Sequence, residues 1–169
     1  MGKSITQQVE EAVETEVEKL TSTFTGGFAF TNLDADTMLQ NMNADTGTGK
    51  LYLHTVFLPK QPTFGMGCFE QLINVYFAIY SQNILADDIK SGITGDTVRT
   101  SLNLGLRALM DLMTDNDTWG CLAYTTFPIE LTDEGGSITT DKNEIIRPVA
   151  NLAYQITVQW PFDDDESAY

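Results

Sequence analysis

The residues of this sequence that could do chemistry are few and far apart. His54 is the single histidine, so a Ser-His-Asp or Cys-His arrangement would have to pass through it, and no G-x-S-x-G turn accompanies it. It stands between Leu53 and Thr55 in a run that reads as a strand, where it is expected to be structural. A histidine-rich metal site is excluded by that count. Cys68 and Cys121 lack the C-x-x-C spacing of a zinc or redox pair. Both cysteines sit in patterns that read as buried strands. No signal-peptide pattern opens the sequence, and together these features predict reduced thiols and an intracellular setting.

Two loops imitate ligand motifs but lack the residues those motifs need. TGTGK at residues 46–50 resembles a phosphate loop, but Ala44 stands where the first glycine belongs and Leu51 where Ser or Thr must follow the lysine. The run also precedes a strand rather than linking a strand to a helix. DNDTWG at residues 115–120 resembles the start of a calcium loop, yet Trp119 occupies its third acidic position and Thr126 replaces the closing glutamate. A helix-ending turn explains it better. No catalytic, cofactor-binding or metal-ligating residue is singled out, so the chain is expected not to be an enzyme. The acids that stand out are Asp133 and Glu134 in a loop, and Asp163, Asp164, Asp165 and Glu166 near the end. They are candidates for an interface or a lumen, because loops carry contacts.

The charge balance narrows the partners. The 169 residues hold 24 acids against 9 bases, a net charge of −15, and no two bases are adjacent. Nucleic-acid binding draws most of its affinity from clustered Lys and Arg that displace phosphate counterions, so that class is disfavoured, as is an anionic membrane surface. The apolar stretches fall well short of the ~20 residues that span a bilayer. With 42% apolar residues, a chain of this length buries roughly 68–70% of its unfolded surface and holds a core without staples.

The elements that must position these residues are legible from periodicity. Ile5, Val9, Val13, Val17 and Leu20 mark one face of a helix, with Ser4 and Gln7 spaced as a capping box and Glu10, Glu11, Glu14, Glu16 and Glu18 on the other faces. A short strand beginning near residues 27–30 comes next, and then a short helix over residues 33–43, capped by Asp34 or Asp36. KLYLHTVFL and CFEQLINVYFAIY read as strands, the second apolar on both sides and therefore central. Val98, Leu102, Leu106, Leu109 and Met113 predict a helix over residues 96–113, capped by Asp96 or Thr97, in which Gly105 marks close packing. TWGCLAYTTFPIEL reads as a strand with a bend or edge at Pro128. RPVANLAYQITVQW alternates Leu152, Tyr154, Ile156, Val158 and Trp160 against Asn151, Ala153, Gln155, Thr157 and Gln159. Strands clustered in pairs predict an α+β fold: a mainly antiparallel sheet of about four or more strands, with two helices packed on one face. The opposite face carries a mixed polar set that suits a neighbouring subunit. One domain is expected over residues 1–162, with residues 163–169 as a mobile acidic tail.

The order of these elements resembles the tail terminator, or tail completion, proteins of long-tailed bacteriophages. The resemblance runs through the N-terminal helix, the pair LYLHTVFL and FEQLINVYFAIY, the helix VRTSLNLGLRALMDLM, the Trp-bearing strand WGCLAYTTFPIEL and the closing strand VANLAYQITVQW. It is one of element order without a diagnostic motif. The additional loop over residues 22–49 and the DDDE run depart from it. The resemblance implies a virion protein, assembled in the host cytoplasm, that forms a homo-oligomeric ring, commonly a hexamer, on the last ring of the tail tube. Such a ring stops tube growth, joins tail to head through neck or connector proteins, and passes DNA only as cargo. The competing class is an acidic DNA mimic that binds a basic host DNA-handling protein. A third, a hydrolase built on a carboxylate pair, predicts a pocket with perturbed carboxylates.

Overall fold

A computed structural model describes residues 2–23, 29–32, 36, 50–65, 67–81, 84–85, 93–131, 137–140 and 145–161. Helix α1 (Ile5–Thr23) forms where the four-residue valine spacing placed it. Val9, Val13 and Val17 are fully buried, with Ile5 and Leu20 packed partly against them. Its start is a reciprocal capping box. The Gln7 amide donates to Ser4 Oγ at 3.2 Å, and the Ser4 amide donates to Gln7 Oε1 at 3.1 Å, so side chains satisfy two backbone donors that helix geometry would strand.

The strands are β1 (Ala29–Asn32), β2 (Lys50–Pro59), β3 (Thr63–Phe64), β4 (Cys68–Ser81), β5 (Ile84–Leu85), β6 (Thr125–Leu131), β7 (Ser137–Thr140) and β8 (Ile145–Pro161). They form one sheet whose main path runs β1-β2-β4-β8. The β1–β2 pair is parallel and every other pair is antiparallel. β8 is 17 residues long. It pairs with β4 and β5 along one side and with β6 and β7 along the other. Strand β4, apolar on both sides, lies centrally between β2 and β8, as its composition predicts.

Helix α2 (Ile93–Asp115) begins three residues before the expected start. Asp96 and Thr97 therefore lie inside the helix and are not caps, close to the end where the helix dipole is positive. Leu106, Leu109 and Met113 are buried, as is Gly105. They meet the valines of α1 and one face of the sheet: Leu53 from β2, Ile73, Val75, Phe77 and Ile79 from β4, and alternate residues Leu152 to Trp160 of β8. Register explains the shared face, since Ile73 lies opposite Ile156, Val75 opposite Tyr154 and Phe77 opposite Leu152. Each such side chain contributes about 1.5–3 kcal/mol by leaving water. Two helices on one face of a mainly antiparallel sheet make this an α+β fold. Tyr154 is tied into the same layer, its phenol pushed above the ordinary range by burial first and also by the Asp111 charge, with a hydrogen bond to the Thr114 side chain opposing both.

The segment after α2 departs from expectation. Residues 116–122 form turns, and β6 starts only at Thr125. Trp119, Gly120 and Cys121 have φ of 49°, 70° and 71°, and three successive left-handed residues cannot continue a pleated strand. Cys121 is consequently exposed rather than buried in a strand, while Cys68 opens β4 half-buried. DNDTWG closes α2, with the Asn116 side chain donating to the Leu112 carbonyl at 2.9 Å. Pro128 sits at a bulge, where the register of β6 against β8 shifts between Pro128 and Glu130. The helix expected over residues 33–43 lies outside the described residues, apart from Asp36, which is helical. Among the described residues, no helix is long and apolar enough to cross a membrane.

Candidate assembly surface

The face of the sheet turned away from the helices is built by the other half of each strand's alternation. β2 contributes His54, Val56 and Leu58, and β4 contributes Glu70, Leu72, Asn74, Tyr76 and Ala78. β8 supplies Asn151, Ala153, Gln155, Thr157 and Gln159, and β6 supplies Thr125, Phe127 and Glu130. Among these positions only Glu70 and Glu130 are acidic, and none is Lys or Arg. The helical side is the opposite: Glu11, Glu14 and Glu18 on α1, and Asp111, Asp115 and Asp117 at and beyond the end of α2, are all exposed.

Cross-strand amides give this face a fixed pattern. Gln159 Nε2 donates to the Glu70 carboxylate at 2.9 Å, and two rungs away on the same face Gln155 Nε2 donates to Asn74 Oδ1 at 3.0 Å. The Asn74 amide in turn reaches the Tyr76 hydroxyl at 3.3 Å. Such rungs hold long polar side chains in place before any partner arrives, reducing the ordering entropy that association costs. Beyond the Gln155–Asn74 rung, the small side chains Ala78 and Ala153 leave a recess of about 130 Å³, bordered by His54, Val56, Tyr76, Glu130 and Asn151. Its size suits one inserted side chain.

Apolar groups rim the same region. Phe127 is on this face and Ile129 occupies the bulge, both exposed, while Leu131, opposite Leu152, is exposed on the other side. At the far end of β2, Leu58 is exposed on this face, whereas Phe64 on β3, 76% exposed, pairs with Phe69 and lies on the helix-covered side, the two ring centroids 4.9 Å apart. β6 is held in position from behind. Trp119 Nε1 donates to Thr126 Oγ1 at 3.1 Å, Thr126 Oγ1 donates to the Asp117 carbonyl at 2.7 Å, and the Tyr124 amide donates to the Thr157 carbonyl at 2.7 Å. No further strand pairs with β6 among the described residues.

The acids singled out by sequence, Asp133, Glu134, Asp163, Asp164, Asp165 and Glu166, lie outside the described residues, as does the Gly135–Gly136 loop. Most of the loop over residues 22–49 does too. His54 is on β2, half-buried at the border of the recess. Among the described residues, no group of three or more His, Cys, Asp or Glu is placed to hold a metal ion. Sequence reasoning missed Phe127, Ile129 and Glu130 as surface-forming residues. Their signal was present in the low charge of the run TTFPIEL, but their facing depends on the bulge. No family model matches this chain, and no curated protein matches its sequence.

Proposed function

We propose that this protein is a non-enzymatic assembly component that joins copies of itself through the outer face of its sheet. In its sharpest form it is a ring-forming protein at the head-proximal end of a phage tail, one that caps the tube and connects it to the neck. The observation that carries the reading is the segregation of charge. Two copies of a chain with net charge −15 repel wherever their acidic surfaces meet. Association is therefore directed to the surface that combines few charges, fixed amide rungs and exposed apolar side chains, a combination typical of interface cores. A closed ring also uses heterologous contacts, in which one surface of each copy meets a different surface of the next, and an acidic lumen repels DNA phosphates so that the duplex slides.

Native mass spectrometry and negative-stain imaging of the full chain test this. The expected species is a closed ring that Phe127→Asp or Val56→Asp dissociates and Glu14→Gln leaves intact. A chain that stays monomeric at all concentrations and with purified tail tubes refutes the reading. Within a phage, lysine at Asp133, Glu134 or the tail acids Asp163 to Glu166 is expected to impair DNA passage, and unchanged infectivity counts against an acidic lumen. A second reading rests on α1, where Glu11, Glu14 and Glu18 repeat on successive turns in exposed positions. Such a stripe is what a DNA mimic presents to a basic protein. It predicts a monomer or dimer with salt-dependent binding to basic DNA-handling proteins.

A further inference from the structure

At the end of the sheet remote from the recess, on the helix-covered side, lies a second concavity. It is a cleft of about 430 Å³ between the first turn of α1 and the chain joining β2 to β3, within the ~300–1,000 Å³ range of ligand sites. Its apolar surfaces are Ile5, Pro59, Pro62 and Trp160, and Glu10 is its one ionisable group.

The walls are fixed before anything binds. The Thr6 hydroxyl donates to Gln71 Oε1 at 2.8 Å, and Gln71 Nε2 donates to the Lys60 carbonyl at 2.8 Å. The Lys60 amide closes the turn on the Leu72 carbonyl at 2.8 Å. Trp160 is 6% exposed and stacks on Phe69 with ring centroids 5.6 Å apart. Its Nε1 is buried without a hydrogen-bond partner among the described residues.

Glu10 is the uncompensated group. Of the lysines nearby, Lys3 pairs with Glu11 and Lys19 with Glu16, and neither these nor Lys60, in the chain joining β2 to β3, forms an ion pair with Glu10 among the described residues. Burial first, and the Glu14 charge second, push its carboxyl above the ordinary value. A half-buried carboxylate beside apolar and aromatic walls asks for a cation carried on an apolar stem. Arginine meets that demand better than lysine, because its guanidinium is less strongly hydrated and packs flat against aromatic and amide surfaces.

We infer that this cleft is a docking site for an arginine side chain presented by a basic partner protein, with Glu10 as its counter-ion and Ile5, Pro59, Pro62 and Trp160 as its walls. The inference stands apart from the assembly reading, since the cleft and the outer face lie on opposite sides of the sheet. A protein with this net charge already attracts basic partners over a Debye length or more, and the cleft converts that general attraction into one seated contact.

The test uses the full chain and the peptide acetyl-Gly-Arg-Gly-amide, monitored by NMR at the two indole N–H resonances. Saturable movement of the Trp160 signal is expected, with Trp119 unmoved. Glu10→Gln is expected to weaken binding about tenfold or more, while Asp115→Asn, exposed at the end of α2, changes it by less than about twofold. Replacing arginine with citrulline keeps the shape without the charge and is expected to abolish the shift. The inference is overturned if Trp160 does not respond, if citrulline binds as well as arginine, or if Asp115→Asn weakens binding as much as Glu10→Gln does. Ring formation measured in parallel keeps the two proposals separable: loss of arginine binding in Glu10→Gln with intact rings touches this site alone.

Discussion

Replacing Thr126 with valine removes one oxygen atom and tests what holds β6 against the fold. In the protein, Thr126 Oγ1 accepts from Trp119 Nε1 and donates to the Asp117 carbonyl. Valine fills nearly the same volume, so packing changes little and the loss is one of hydrogen bonding. The two partners are not equivalent. Asp117 is exposed, and its carbonyl can turn to water at little cost. Trp119 is 4% exposed, so its indole N–H is left buried and unmatched, which costs about 1–3 kcal/mol. For a chain of this length each kcal/mol lowers Tm by about 2–4 °C, so Thr126→Val is expected to melt about 2–12 °C lower. Urea unfolding should show a lower midpoint with an unchanged slope, and Thr126→Ser, which keeps the hydroxyl, should retain most of the stability. A valine variant within about 0.5 kcal/mol of the parent, or a serine variant as weak as valine, refutes the reasoning.

The same packing sets three further outcomes. Phe77→Ala deletes a ring that is 1% exposed at the centre of the core and is expected to cost about 3–5 kcal/mol in urea unfolding, a large share of a typical domain's stability. Cys121→Gly relieves a left-handed backbone at φ 71°. Relief of about 1–2 kcal/mol less glycine's greater unfolded entropy of about 0.5–1 kcal/mol leaves a small net gain, read as a higher Tm. Glu10→Gln removes a carboxyl whose value is raised above 4.5 by burial and by Glu14. Below that ordinary value the group is uncharged in both folded and unfolded chains. The penalty therefore grows as pH rises from the ordinary value to the raised one and is fully present above it. Glutamine is expected to stabilise at neutral pH, by at least the ~0.2–0.5 kcal/mol of an i,i+4 like-charge pair, and to have no effect in acid; a gain that persists in acid contradicts the assignment.

What the sequence disclosed tracks how local each determinant is. The valines of α1 and its capping box are settled within a few residues, and both appear in the structure as read. The alternation from Leu152 to Trp160 likewise names the core side of β8, because a strand's period of two leaves no third choice. The start of β6 was not legible. Nothing in Trp119-Gly120-Cys121 beyond one glycine announces three left-handed residues in a row, and the apolar run across them imitates a strand. The parallel pairing of β1 with β2 is equally silent, since register between separate segments is decided by the rest of the sheet. On the outer face of the sheet, the polar half of β8 was readable. Glu130, however, reaches that face only because the bulge after Pro128 inserts a residue and reverses the facing of the last residues of β6. Ala153 and Thr157 are buried although they lie on the side expected to be polar and open.

The pairing of β8 sets the timing of folding. Strands β4, β5, β6 and β7 all complete their ladders on it, yet it is the last of these strands to leave the ribosome. Until residues 145–161 emerge, β4 has one open edge of unpaired backbone groups, and β6 lacks the strand it pairs with. Sheet closure is thus a late event joining distant parts of the chain, as in Phe69 against Trp160. Folding dominated by such separations is slow, on the order of milliseconds to seconds. The nascent chain passes through that interval with an adhesive edge, and a chaperone that shields β4 during synthesis should raise the yield of native protein more than one acting on the finished chain.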